Sequence, residues 1–246
     1  MRSGSNLSTS FLDALPFRLT GAQQRAWTEI QADMEDDARM YRLLQGDVGS
    51  GKTVVAAAAM LKAVENGLQS VLMAPTELLA EQHVRTLTGL FETVGQRPRL
   101  LTGSVTGRER AEVLSGMADG SLPLVIGTHA LFQEGVSFAR PGLMVIDEQH
   151  RFGVSQRRAL RDLGGSADML VMSATPIPRS LALTLYGDLD LSVIDEMPPG
   201  RRPIRTGVRS YADRDAALSW IRGELAAGRQ AYFVYPLIEE SEAVEA

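Results

Sequence analysis

Residues Gly46-Asp47-Val48-Gly49-Ser50-Gly51-Lys52-Thr53 stand between the short run Tyr41-Arg42-Leu43-Leu44 and an alanine-rich helical stretch, Val54 to Leu61. No other stretch constrains the fold as tightly. Glycines let the backbone curl so that its N–H groups converge on an anion at a helix N-terminus. The spacing Gly-x-x-x-x-Gly-Lys-Thr between a strand and a helix therefore predicts a phosphate-binding loop. Lys52 reaches the β- and γ-phosphates of a nucleoside triphosphate, and Thr53 places its hydroxyl on a magnesium ion.

A rhythm follows the loop. Short apolar runs end in polar, turn-prone signatures: Val71–Ala74 before Pro75-Thr76, Leu100-Leu101 before Thr102-Gly103-Ser104, and Leu124–Ile126 before Gly127-Thr128-His129. Leu143–Ile146 precedes Asp147-Glu148, and Met169–Met172 precedes Ser173-Ala174-Thr175. Continuous apolar runs fit strands buried on both faces, and intervening helices fit parallel crossovers. The expected fold is α/β, a P-loop domain with a central, mostly parallel sheet flanked by helices. Ligands of such sheets bind beyond the carboxyl ends of the strands, so every polar signature falls on the edge that carries the phosphate loop. There Asp147 meets the magnesium ion, while Glu148, pointing the other way, orients or deprotonates the attacking water.

Composition removes other classes. The 246 residues include no cysteine, so disulfides and thiolate metal sites are out. His83, His129 and His150 lie in separate segments without ligand spacing, which argues against a structural zinc. No apolar run reaches the roughly 18 residues of a membrane span, and no signal peptide is visible, so no membrane partner is expected and the cytoplasm is the default. A net charge of −5 argues against a chain coated for nucleic acid but leaves room for a local contact surface.

Residues 1–15 read as a flexible leader of the kind appended to a protein. Thr20 caps a helix through Gln23, Ala26, Trp27, Ile30 and Met34 that ends at Glu35-Asp36-Asp37. Leu78, Leu79, Leu87, Leu90, Phe91 and Val94 give the helix after Pro75 an apolar face. Arg97, Arg99, Arg108 and Arg110 flank the Thr102–Ser104 turn, as solvated charge or as a phosphate-contacting edge. A helix is expected from Leu181 to Gly187. The first domain is expected over residues 16–197 and a Pro/Gly linker over 198–203. Residues 204–246 then read as strand (Ile204–Val208), helix (Asp213–Ala227) and strand (Ala231–Tyr235), the truncated start of a second domain.

The quartet Asp147-Glu148-Gln149-His150, together with the phosphate loop, resembles the superfamily 2 helicases and translocases. Within them Met73–His83, Asp147–Val154, Ser173–Arg179, Pro198–Arg201 and Leu237–Ser241 resemble the RecG family of bacterial ATP-dependent DNA helicases. The likeness extends from Phe17 to about Glu242. Transcription-repair coupling factors share several of these stretches, but Gln149-His150 and the Ala80–His83 segment favour RecG. The resemblance implies a RecA-like motor domain that uses ATP and Mg2+, followed by the start of a second. It also implies an adenine contact at Gln23, nucleic-acid contacts at Thr76, Gly103, Ser104, Thr128 and His129, and coupling of nucleotide state to movement through Gln149, His150, Ser173 and Thr175. Branched DNA is the implied partner, engaged through a wedge domain and a second motor domain that this sequence lacks. The implied protein is monomeric, cytoplasmic and nucleoid-associated, and acts in recombination and replication-fork repair. The fragment by itself is expected to bind ATP weakly and hydrolyse it slowly. Rival readings are a coupling-factor motor, a non-catalytic nucleotide-binding module, and another P-loop ATPase. A transporter would carry a Leu-Ser-Gly-Gly-Gln-like signature, and Leu114-Ser115-Gly116 lacks that continuation.

Overall fold

The computed structural model describes residues 6–133, 135–148, 167–175, 189–200 and 206–235. The chain divides into two compact units, Met1–Arg201 and Arg202–Ala246. In the first, helices α1 (Leu7–Asp13) and α2 (Gly21–Glu35) lead to β1 (Tyr41–Gly46), α3 (Lys52–Glu65), β2 (Gln69–Met73) and α4 (Glu77–Phe91). Then come β3 (Arg99–Leu101), α5 (Gly107–Asp119), β4 (Leu124–Gly127), β5 (Pro141–Asp147), β6 (Asp168–Ser173) and β7 (Asp190–Ile194). The strands form one seven-stranded sheet in the order β3-β4-β2-β5-β6-β1-β7. Every described pairing is parallel, as the continuous apolar runs require.

Alternate residues of each strand feed two cores. Leu44, Leu72, Leu143, Val145 and Leu170 face the helices α1 to α4. Leu43, Val71, Met144, Ile146 and Val171 face the other way, against Val113 and Met117 of α5. The parity decides where the polar strand ends point. Asp147, two residues beyond Val145, shares the face covered by α3 and α4.

Four features depart from expectation. Residues 7–13 form a docked helix rather than a flexible leader. Phe11 is fully buried and meets Phe91 edge-on, 5.8 Å between ring centroids. Ser8 donates to Glu65 from both its backbone N–H (3.1 Å) and its hydroxyl (3.0 Å), while Glu65 also pairs with the buried Lys62. Burying one such aromatic is worth about 1.5–3 kcal/mol, enough to outweigh the poor helix composition of a Ser/Thr-rich segment. Leu78 lies outside the apolar face of α4 and is 74% exposed. Among its described residues, the β4–β5 connection carries a short 3-10 turn, His129–Phe132, in place of a crossover helix. The edge strand β7 was not among the expected strands. It is pinned by Arg42 of β1, which donates to Ser192 of β7 (2.9 Å) and to Asp33 of α2 (2.6 Å).

In the second unit α6 (Arg214–Ala226) forms as expected. Of the strands expected at 204–208 and 231–235, the described residues 206–208 and 231–235 take no regular structure. The helix expected over Leu181–Gly187 lies outside the described residues. Among the described residues, no helix is long and apolar enough to cross a membrane.

Candidate nucleotide and nucleic-acid edge

The phosphate loop runs from the end of β1 into α3, with φ of +79° at Gly49 and +91° at Gly51. Gly51 is the N-cap of α3 and has no side chain to offer, so the first N–H groups of that helix remain available to an anion. The loop is held from beneath. Thr20 caps α2 by accepting from Gln23 N–H, and Gln23 Oε1 accepts in return from Thr20 N–H at 2.9 Å. The other end of the same amide, Nε2, donates to Ser50 O at 2.7 Å. Gln23, 2% exposed, therefore spends both amide atoms on the protein, bracing the loop against the start of α2. A Cβ on Gly51 would fall 2.2 Å from Gln23 Nε2, so this close approach requires glycine.

Lys52 lies along the loop and donates to the carbonyls of Gly46 (2.5 Å) and Asp47 (3.1 Å). Burial lowers its pKa, against the opposing pull of Glu148, Asp147 and Asp47. Asp147 and Glu148 arrive from the end of β5. Asp147 Oδ2 is 2.7 Å from His83 Nε2. Glu148 adopts φ of +51°, rare for a side-chain-bearing residue. Its N–H donates to Met172 O (3.0 Å), and its Oε1 accepts from Ala174 N–H (2.9 Å). Glu148 is thus clamped to the end of β6 from backbone and side chain alike. On that same end the hydroxyls of Ser173 and Thr175 lie 3.0 Å apart, and Thr175 N–H donates to Ser173 Oγ. Ser173 and Thr175 bond to each other, and among the described residues the link from this segment to the acidic pair runs through Glu148. Gln149 and His150 lie outside the described residues.

The remaining candidates occupy the ends of β2, β3 and β4. Thr76 caps α4 by accepting from Leu79 N–H. Gly103 N–H donates to Glu77 Oε1 at 2.8 Å, and Thr102 and Ser104 pair their hydroxyls at 2.8 Å. Thr76, Gly103, Ser104 and His129 are exposed, whereas Thr128 is 1% exposed and its buried hydroxyl has no hydrogen-bond partner. Among the flanking arginines, Arg108 pairs with Glu112 and Arg99 with Glu109. Arg110 reaches back to Thr102 O and to Gln133.

His83 is the site residue that sequence reasoning passed over. Its position carried a legible signal: it follows Ala80 by three residues and precedes Leu87 by four, which puts a polar side chain on the buried face of α4. The contact from Glu77 to Gly103 left no comparable trace.

A parallel sheet with a phosphate loop after β1 and an acidic pair after β5 defines a RecA-like P-loop nucleotide-binding domain. The DEAD/DEAH box helicase family matches residues 20–184, and the chain belongs to that family, whose helicase domain implies use of ATP. The chain is 55% identical over 232 residues to the ATP-dependent DNA helicase RecG of Streptococcus pneumoniae serotype 4, covering 94% of this chain and 34% of that relative. With RecG of Bacillus subtilis it shares 52% identity over 235 residues, 96% of this chain and 34% of the relative. The structure of RecG bound to a three-way DNA junction aligns with a TM-score of 0.83 at 46% identity, covering 96% of this chain and 32% of that one. The resemblance to RecG helicases thus holds over nearly the whole chain, which spans about one third of the length of the curated relatives it matches.

Proposed function

We propose that this chain is the nucleotide-binding motor portion of a RecG-like DNA helicase, in which ATP hydrolysis drives translocation on double-stranded DNA and acts on branched substrates in recombination and fork repair. The observation that carries this reading is the convergence of Gly46–Thr53 with Asp147 and Glu148 on one sheet edge, with Lys52 close enough to feel both carboxylates. The loop N–H groups and Lys52 hold the phosphates. The Thr53 hydroxyl and the Asp147 carboxylate are hard oxygen donors suited to Mg2+, which supplies charge neutralisation at the phosphates when bound. Glu148, fixed by Ala174 N–H, is the group that positions the attacking water. Its clamp on the Ser173–Thr175 segment makes that segment sensitive to what Glu148 holds.

Thr76, Gly103, Ser104 and His129 form the nucleic-acid surface; Thr128, expected there from the sequence, is buried with its hydroxyl beneath that surface and is not part of it. Hydroxyls and N–H groups there suit phosphate oxygens and carry no base information, as a translocating motor needs. The DNA-junction complex of the RecG relative supports branched DNA as the partner. The reading places the protein in the bacterial cytoplasm, on chromosomal DNA. Calorimetry with a non-hydrolysable ATP analogue tests it. Lys52→Ala should weaken binding about 10–100-fold, the loss expected for charge-assisted hydrogen bonds of about 1.5–3 kcal/mol. An unchanged affinity overturns the phosphate-loop assignment.

A further inference from the structure

The contact between His83 and Asp147 joins the acidic motif to a residue that lies in neither that motif nor the phosphate loop. Both side chains are largely buried, at 12% and 15% exposure, and Nε2 lies 2.7 Å from Oδ2. An ionised carboxylate only accepts, so Nε2 carries the proton and donates. The contact follows from two periodicities. Strand alternation turns Asp147 to the face shared with Leu143 and Val145, and helical spacing puts His83 on the face of α4 that buries Ala80 and Leu87. Holding Oδ2 from the α4 side restrains the rotation of the carboxylate and leaves Oδ1 for another ligand, while the charge of Asp147 is felt by Lys52. The same helix is anchored at its first residue, Glu77, to Gly103 N–H. The backbone that supports His83 is therefore tied at its N-terminal end as well.

We propose that His83 is a positioning residue for the magnesium ion: its Nε2–H orients the Asp147 carboxylate for the metal. This role rests on the reading of Thr53 and Asp147 as the magnesium donors. Outer partners that orient a metal-binding carboxylate typically change metal affinity about 10–100-fold when removed.

The test is the apparent Mg2+ affinity of the 246-residue chain in the presence of a fluorescent non-hydrolysable ATP analogue, measured beside the analogue's affinity in EDTA. His83→Ala should weaken the apparent Mg2+ affinity about 10–100-fold and leave the affinity in EDTA within about twofold. His83→Gln, whose side-chain N–H2 can donate to the same oxygen, should recover most of the loss. Wild-type Mg2+ affinity in His83→Ala overturns the positioning role, and so does an equal loss with and without the metal. If the unsubstituted chain binds the analogue with no gain from Mg2+, the magnesium assignment itself fails, and the role of His83 fails with it.

Discussion

The carboxyl edge of the sheet has two halves that are built differently. β5, β6 and β1 are neighbours, and their ends are tied down: Glu148 after β5 is bonded to Met172 and Ala174 at the end of β6, and the loop after β1 is bonded at Ser50 to Gln23 of α2. β3, β4 and β2 are also neighbours, and their ends present Ser104, His129 and Thr76 to solvent. In the chain the two sets are interleaved, β1 first, then β2 to β4, then β5 and β6; only the strand order separates them. The halves meet at β2 and β5, where α4, the helix that follows β2, reaches Asp147 through His83. On the proposed reading, the bonded half is the one that stabilises charge, where preorganised groups need no rearrangement as charge develops. On the proposed reading, the open half is the one that contacts DNA.

Substitutions should separate these halves by what they disturb. Glu148→Gln should have the largest effect: in a full-length helicase carrying this motor, hydrolysis falls about 10²–10⁴-fold, the range for loss of general acid–base help, with analogue affinity nearly kept. A parallel collapse of analogue affinity would assign Glu148 to binding instead. Gly51→Ala comes next. It places a Cβ on a left-handed residue and against Gln23, and should cost about 1–3 kcal/mol of stability, read as a lowered urea midpoint. If that midpoint does not move, the brace between Gln23 and the loop is not rigid. Thr76→Val should be smallest, weakening oligonucleotide binding about 2–10-fold, as for one neutral hydrogen bond, with no change in nucleotide affinity. A shift in nucleotide affinity instead would mean that the halves are not separable at α4.

Much of this was legible from residue pattern. Six of the seven strands correspond to apolar runs, because strands buried on both faces need no polar alternation. The α2 positions Gln23, Ala26, Trp27, Ile30 and Met34 are all buried, as their spacing requires. β7 was invisible because polar Asp190 and Ser192 interrupt Leu191, Val193 and Ile194; it is a strand because the edge of β1 and the buried Arg42 are there to pair with it. The converse holds for Ala231–Tyr235, whose composition favours a strand. Tyr232 and Val234 are 85% and 91% exposed, and no ladder forms. Strand propensity is a preference for a packed, paired surface and does not act alone. α1 was missed for a related reason: its two-residue handle, Ser8 and Phe11, means little until Glu65 and Phe91 are beside it.

The sequence by itself determined the phosphate loop, the acidic pair and the edge on which both must lie, because the spacing of glycines and the alternation of strands are local rules. Tertiary structure alone decided which partners those groups take. Gln23 became a brace because α2 lies under the loop, and His83 became the support of Asp147 because α4 covers the face to which β5 turns that carboxylate. Such pairings join residues far apart in the chain, and no local periodicity encodes which two faces will meet.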